Sequence, residues 1–333
     1  MGSLSHELPL VIFTICAQMS VGTFIVLGLV HLLNARVPAT VMDRVADPAL
    51  YAIGPLLLLG FLASTFHLGT PLRAINALGH VGTSWLSNEI LAGSVFLALG
   101  ALFAFMQWRK LGSARLRQVV AVLAALAGVV LVFCISQVYS LRTVPAWNTW
   151  YTPVRFWATT LLLGSLAVAA VLAFTALRRG SGKRAAREAE AVERRDEDAA
   201  VSGGATVSET HHGERLLIRT IRGITVGAVA ILGLSFVAMP IYLAQLGTHP
   251  DPAAALSLAV FTDLHPGLAI LYPALIAAGV VVLAVLLSRL GRAQRDTARG
   301  TVATMAALAF ALVLAGEFLG RMFFYASMYR TGL

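Results

Sequence analysis

Long apolar runs separated by short polar segments dominate the chain, and eight of them are roughly 20 residues long. A helix rises about 1.5 Å per residue, so a run of that length matches the hydrocarbon thickness of a bilayer. A helix also satisfies its own backbone where water cannot reach. The pattern predicts an all-α, polytopic membrane helical bundle with eight transmembrane helices, forming one integral membrane domain over 1–333. The predicted spans are 9–33, 50–66, 89–108, 119–139, 156–177, 216–244, 267–287 and 302–324.

The composition supports this interpretation, because 58% of the residues are hydrophobic and 12% are charged. About a quarter of the residues are charged in an ordinary soluble domain. The first run, 9–33, is predicted to be a permanent helix rather than a secretory signal. No Lys or Arg precedes it, and it is longer than the apolar core of a cleaved signal.

Basic residues are concentrated in alternate connections between the spans, and this distribution predicts the orientation. Of 25 Lys and Arg residues, twenty fall in one set of connections and five in the other. Basic connections remain on the cytoplasmic side, so both termini are predicted to lie outside, on the periplasmic face of the bacterial plasma membrane. The formal charge of +9 is then explained by orientation and not by a nucleic acid partner.

The longest connection, 178–215, mixes eight basic and eight acidic residues with Gly, Ser and Ala. Such a composition cannot bury a core. The segment is therefore predicted to be a charged, flexible cytoplasmic loop, with a docking or regulatory tail as the alternative.

Ionisable residues gather at the predicted outer ends of the spans, where their desolvation usually serves a function. His67 ends the second span and Glu89 opens the third, and the segment between them contains Arg73 and Asn76. A carboxylate, an imidazole and a guanidinium at the edge of the hydrocarbon suit quinol oxidation, which needs proton acceptors and hydrogen-bond donors in an apolar cleft. In the alternative interpretation, Glu89 is only a first-turn acid behind a capping Asn88, and His67 is an interfacial polar residue.

Two further groups of residues have mainly structural interpretations. Glu317 and Arg321 are four residues apart in the last span, beside Gly316 and Gly320, and a structural ion pair in a tight helix interface is preferred to a ligand contact. The outer connection before the fifth span is aromatic and basic, and we expect mostly an interfacial belt, with a docking surface as the alternative. Its residues include Arg142, Trp147, Trp150, Tyr151, Pro153, Arg155 and Trp157.

The chain offers few ligands for a redox centre of its own. Its two cysteines, Cys16 and Cys134, lie in different spans and cannot hold an iron–sulfur cluster or zinc. His31 lies near the inner end of its span and His67 near the outer end of the next, so they cannot share a haem. A haem-free protein is expected, although a loop histidine pairing with His67 remains open.

Several segments, in order along the chain, resemble the DmsC family, the membrane anchor subunits of dimethyl sulfoxide reductases. The resemblance is carried by HELPLVIFT at 6–14, HLGTPLRAIN at 67–76, LSNEI at 86–90, TVPAW at 143–147, YTP at 151–153 and AGEFLGR at 315–321. The long loop at 178–215 departs from the family pattern and leaves these motifs intact.

The resemblance implies an eight-helix, haem-free anchor that is not itself the catalytic subunit but carries the quinol-oxidising half-reaction of a multisubunit oxidoreductase. Menaquinol would be the bound substrate, and Glu89 and His67 would serve its site. Electrons would pass to an iron–sulfur subunit and then to a molybdopterin catalytic subunit, both docked on the outer face. Two other hypotheses stay open: a quinone-linked anchor that translocates protons, and a solute transporter.

Overall fold

The computed structural model describes residues 8–33, 47–48, 50, 54–55, 58, 78–193, 205–264, 266–292 and 299–332. Across these ranges the regular structure is entirely helical, in agreement with the predicted all-α class. The helices are α1 (Leu8–Leu33), α2 (Trp85–Arg109), α3 (Ala114–Val138), α4 (Tyr151–Glu193), α5 (Ala205–Gly247), α6 (Pro252–Ala259), α7 (Pro266–Arg292) and α8 (Arg299–Ala326). A 3₁₀ turn at Leu78–His80 precedes α2, and a π turn at Val260–Leu264 follows α6.

Seven helices in the described part of the chain are long and apolar enough to cross a bilayer. They contain the first and the third to eighth predicted spans, so seven of the eight predicted spans are confirmed as membrane-length helices. The predicted second span, 50–66, falls mainly outside the described residues. The seven helices are Leu8–Val30, Trp85–Arg109, Ala114–Val138, Tyr151–Thr175, Ile218–Gly247, Gly267–Leu290 and Gly300–Ala326.

Helix α4 and helix α5 extend beyond the apolar runs that predict them. α4 continues past the predicted end at 177 to Glu193, and α5 begins at Ala205. Helix is therefore found at both ends of the segment 178–215, where the sequence predicts a loop. Ala, Arg, Lys and Glu dominate the extension of α4, and all four have high helix propensity. The flexibility predicted for the segment stays a prediction.

Helix α1 lies at the centre of the bundle, with 78% of its span buried against 22% for the span in α5. It packs against α3 and α4, and α4 also contacts α5 and α8. The closest approach joins Gly22 of α1 to Gly164 of α4, where a Cβ on Gly22 would overlap the Thr160 carbonyl. Small residues allow such contact between membrane helices, whose backbones then lie side by side.

Exposed apolar side chains cover the outward faces of the helices. Leu234 and Val237 of α5 and Ile270 and Val281 of α7 are each at least 60% exposed. On a soluble protein such surfaces would mark interfaces, but on helices of membrane length they indicate contact with lipid.

Residue contacts show that α1 and α2 run in the same direction. Thr14, near the start of α1, and Glu89, near the start of α2, both lie near Tyr325 at the end of α8. Further along both helices, Phe24 meets Phe96 and Phe103 of α2. The predicted span 50–66 lies mainly outside the described residues, and the eighth crossing stays a prediction. Helices α2, α4 and α7 begin, and helices α3, α5 and α8 terminate, at one end of the bundle. We call it the site end.

Candidate functional site

Glu89 lies in the second turn of α2 and is only 7% exposed. The helix begins at Trp85, four residues before the predicted start, so Glu89 is not a first-turn acid. Asn88 does not cap it either, because its Oδ1 accepts a 2.7 Å hydrogen bond from the Gly82 backbone nitrogen. The capping alternative is therefore wrong. Helix capping does not explain why the Glu89 carboxylate lies inside the apolar bundle.

The surroundings of Glu89 come from α3 and α8. It lies near enough to Cys134, Tyr139 and Tyr325 for its charge to act on all three side chains. Among the described residues, no side chain or backbone group donates a hydrogen bond to its carboxylate. The Tyr325 hydroxyl donates to Thr14 Oγ1 at 3.3 Å, and its ring centroid is 5.3 Å from that of Tyr139. The carboxylate is thus close enough to two phenols for its charge to act on them, and it accepts no hydrogen bond from the described residues.

The other predicted residues of the quinol site, His67, Arg73 and Asn76, lie outside the described residues. The described end of their connection is the 3₁₀ turn Leu78–His80 and the turn that follows it. Asn88 binds this turn through Gly82, so the connection ends within one turn of Glu89. Their joint presence at one site stays a prediction.

Glu317 and Arg321, the predicted ion pair, are each hydrogen-bonded to a different helix, while the charge of Glu317 also acts on Arg321, and the pair itself stays a prediction. Glu317 accepts a 2.8 Å hydrogen bond from Thr159 Oγ1 of α4. Arg321 Nη2 donates a 2.7 Å hydrogen bond to Gln18 Oε1 of α1. Spacing of four residues puts the pair on one face of α8, but neighbouring helices offer each group a closer partner.

Arg321 is fully buried, and aromatic rings cover its charge. Its guanidinium carbon is 3.9 Å from the ring centroid of Phe156 and 5.8 Å from that of Phe324. The face of an aromatic ring carries negative charge, so these contacts stabilise a cation away from water. Nε and Nη1 have no hydrogen-bond partner among the described residues.

Arg155 is a buried charge that the sequence analysis places in an outer connection. Helix α4 begins at Tyr151, so Arg155 lies one turn inside it and is only 8% exposed. Its Nη1 donates to the hydroxyls of Tyr151 and Tyr272, at 3.0 and 3.1 Å. The side chain presses so closely on Gly320 that a Cβ there would overlap Nη2. The spacing of Tyr151 and Arg155, one helical turn, is the signal that could have found it.

The aromatic outer connection divides into buried and exposed parts, so the expected interfacial belt is only partly present. Trp147 is buried, stacks on Phe324 with ring centroids 5.1 Å apart, and donates from Nε1 to the Phe324 carbonyl at 2.8 Å. Trp150 is 42% exposed and donates from Nε1 to Gln245 Oε1 at 2.6 Å. Trp147 therefore serves the packing of the site end, while Trp150 remains at its surface.

Comparison with known proteins gives a consistent relationship. The family model described as DMSO reductase anchor subunit (DmsC) matches residues 1–184. The sequence is 32% identical over 334 aligned residues to the C polypeptide of anaerobic dimethyl sulfoxide reductase from Escherichia coli, covering 100% of this chain and 99% of that protein. The chain belongs to the DmsC family.

Two other relatives match parts of the chain. The anaerobic dimethyl sulfoxide reductase polypeptide YnfH of Escherichia coli is 40% identical over 176 residues, which are 52% of this chain and 60% of that protein. The C polypeptide of sulfite dehydrogenase from Allochromatium vinosum is 32% identical over 122 residues, 32% of this chain and 38% of that protein. The family resemblance drawn from the sequence motifs is thus confirmed, and this DmsC family member is a multi-pass helical membrane protein.

Proposed function

We propose that this DmsC family member anchors a respiratory molybdoenzyme of the dimethyl sulfoxide reductase type and oxidises menaquinol at its site end. The observation that carries the proposal is the buried Glu89 carboxylate, whose charge acts on two phenols and which accepts no hydrogen bond from the described residues. Ionisable groups inside a bilayer are costly and are usually kept for function.

The chemistry asked of Glu89 is proton acceptance. Quinol oxidation releases two protons and two electrons, and a carboxylate within reach of a quinol hydroxyl serves as general base. In this proposal His67 and Arg73 orient the ring, and Asn76 adds a hydrogen bond to a quinone oxygen. The redox centres of the scheme belong to partner subunits, and haem plays no part in it.

Electrons leave the site through those partner subunits. In the proposal, an iron–sulfur subunit docks at the site end on the outer face of the plasma membrane and passes electrons to a molybdopterin subunit. Exposed residues of the described rim suit such a contact, because Arg, Trp and Met are enriched at protein interfaces. They are Arg142, Trp150, Met328 and Arg330.

The described charges do not favour the rival in which the anchor translocates protons. Four buried charged side chains are present among the described residues: Glu89, Arg155, Glu317 and Arg321. All four belong to the half of the bundle at the site end. A relay to the other face would need further ionisable groups along the described helices.

Purification in mild detergent tests the anchor function. The proposal expects iron and molybdenum to accompany the chain, and the purified complex to oxidise a soluble menaquinol analogue. A chain that purifies alone and takes up a solute into vesicles would contradict it and support the transporter hypothesis. A Soret band in the complex would contradict the haem-free scheme.

A further inference from the structure

A small cavity lies where α4, α5, α7 and α8 meet, and Glu89 is not among its lining residues. Its free space is about the size of one water molecule. The lining includes Tyr151, Arg155, Thr159, Ala238, Tyr272 and Glu317. This cavity, called the chamber below, thus brings several polar side chains together inside a bundle whose outer surface is apolar.

Arg155 brings a positive charge to this chamber without an ion pair among the described residues. Its Nη1 is shared by two phenol oxygens, while Nε and Nη2 are buried and have no hydrogen-bond partner there. Glu317 is the carboxylate whose charge acts on it. A buried polar group without a partner carries a large free-energy cost, which a bound ligand between the two charges would reduce.

The other lining groups present both donors and an acceptor. Tyr151 and Tyr272 accept hydrogen bonds from Arg155, so each hydroxyl proton remains to be donated. Glu317 accepts from Thr159 through Oε2, which leaves Oε1 as a further acceptor. A ligand at this place must therefore accept from phenols and donate to a carboxylate.

We propose that this chamber binds one ordered water molecule, which accepts from the Arg155 guanidinium and from one of the phenols of Tyr151 and Tyr272, and donates to Glu317 Oε1. Water has both capacities, fits the space, and needs two to four polar partners to be held. A quinone ring or a lipid headgroup is too large for the chamber. The proposal does not depend on quinol oxidation at Glu89, because the two places share no lining residue.

The direct test is a density map of the intact complex in lipid nanodiscs, at a resolution that shows ordered waters. The expected result is one peak within hydrogen-bond distance of Glu317 and at least one of the two phenols. No peak, or density extending as a lipid tail or a quinone ring, would overturn the proposal.

Substitutions at Ala238 give a second test, which depends on which of two variants has the higher thermal midpoint. Ala238 is buried and lines the chamber. Ala238→Val fills it with methyl groups and displaces the water, whereas Ala238→Ser replaces the water with a hydroxyl. The thermal midpoint of the Ser variant should therefore exceed that of the Val variant by a few degrees.

Ala228, buried in α5 but not lining the chamber, is the matched control. There the added hydroxyl has no water to replace, so Ala228→Ser should show no advantage over Ala228→Val. A dry chamber would make Ala238→Val at least as stable as Ala238→Ser, and this result would overturn the proposal. If neither variant at 238 folds, the density map still decides.

Discussion

Arg321 Nη2 donates a 2.7 Å hydrogen bond to Gln18 Oε1, and this contact joins the last membrane helix to the first. Gln18 in turn donates from Nε2 to the Phe156 carbonyl of α4, at 3.2 Å. One amide therefore connects three helices and holds a buried cation in place. The geometry gives α1, α4 and α8 a common fixed point near the site end.

Replacing Gln18 with leucine should destabilise the bundle. The substitution keeps the apolar volume but leaves the Arg321 guanidinium with one fewer acceptor, which costs about 1.5–3 kcal/mol for a hydrogen bond to a charged group. Unfolding can be followed in detergent through the reaction of the buried Cys134 thiol with a fluorogenic maleimide, in a Cys16→Ser background. Gln245→Leu, at an exposed position, is the control. Equal unfolding midpoints for Gln18→Leu and Gln245→Leu would contradict the stabilising role of Gln18.

Substituting alanine for Gly22 should separate α1 from α4. The added methyl overlaps the Thr160 carbonyl, and forced repacking of a tight contact costs about 1–3 kcal/mol. Gly28 lies on the same helix with open space where a methyl group would be added, so Gly28→Ala should be neutral or stabilising by up to about 1 kcal/mol. The same thiol assay compares the two variants. A Gly22→Ala midpoint at or above that of Gly28→Ala would refute the close crossing.

The two tryptophans of the outer connection should respond differently to phenylalanine. Trp147→Phe removes a buried hydrogen bond to the Phe324 carbonyl, which keeps Ser327 Oγ as a donor, so the loss is about 0.5–1.5 kcal/mol. Trp150→Phe removes a similar bond to Gln245 at the surface, where water can replace it, so little stability is lost. Chemical denaturation in detergent measures both changes. Equal losses would show that Trp147 is not part of the packed site end.

Apolar run length predicted the membrane helices well, because the bilayer imposes one dimension on every span. It could not predict where α4 begins, since Tyr151 to Arg155 contains polar and charged residues that end an apolar window. The helix includes these residues because Arg155 donates hydrogen bonds to the hydroxyls of Tyr151 and Tyr272. Tyr272 is more than a hundred residues away in the sequence, so the spacing of residues within one helix cannot predict this partner.

The candidate site, like the helices, could be predicted only where the signal lies within one local segment of the sequence. Glu89 is recognisable from the sequence as a carboxylate at the end of an apolar run, and the structure confirms that it is buried. The spacing of Glu317 and Arg321 predicted a pair on one face, and Thr159 and Gln18 are their hydrogen-bond partners. Spacing within one helix shows that two residues share a face. It does not show which residues of neighbouring helices they contact.

Glu89→Gln tests whether the Glu89 carboxylate takes a proton from quinol. The amide keeps the size of the side chain but cannot act as the base. The assay measures substrate reduction by the assembled complex twice, once driven by a menaquinol analogue and once by reduced viologen, which delivers electrons without quinol. Asp251→Asn is the control for lost charge, because asparagine also caps a helix well.

Glu89→Gln should lower the quinol-driven rate at least about 100-fold, the scale of general-base catalysis. The viologen-driven rate and the subunit content should remain those of the wild type, and Asp251→Asn should keep both rates. A Glu89→Gln complex that oxidises the menaquinol analogue at the wild-type rate would contradict the claim.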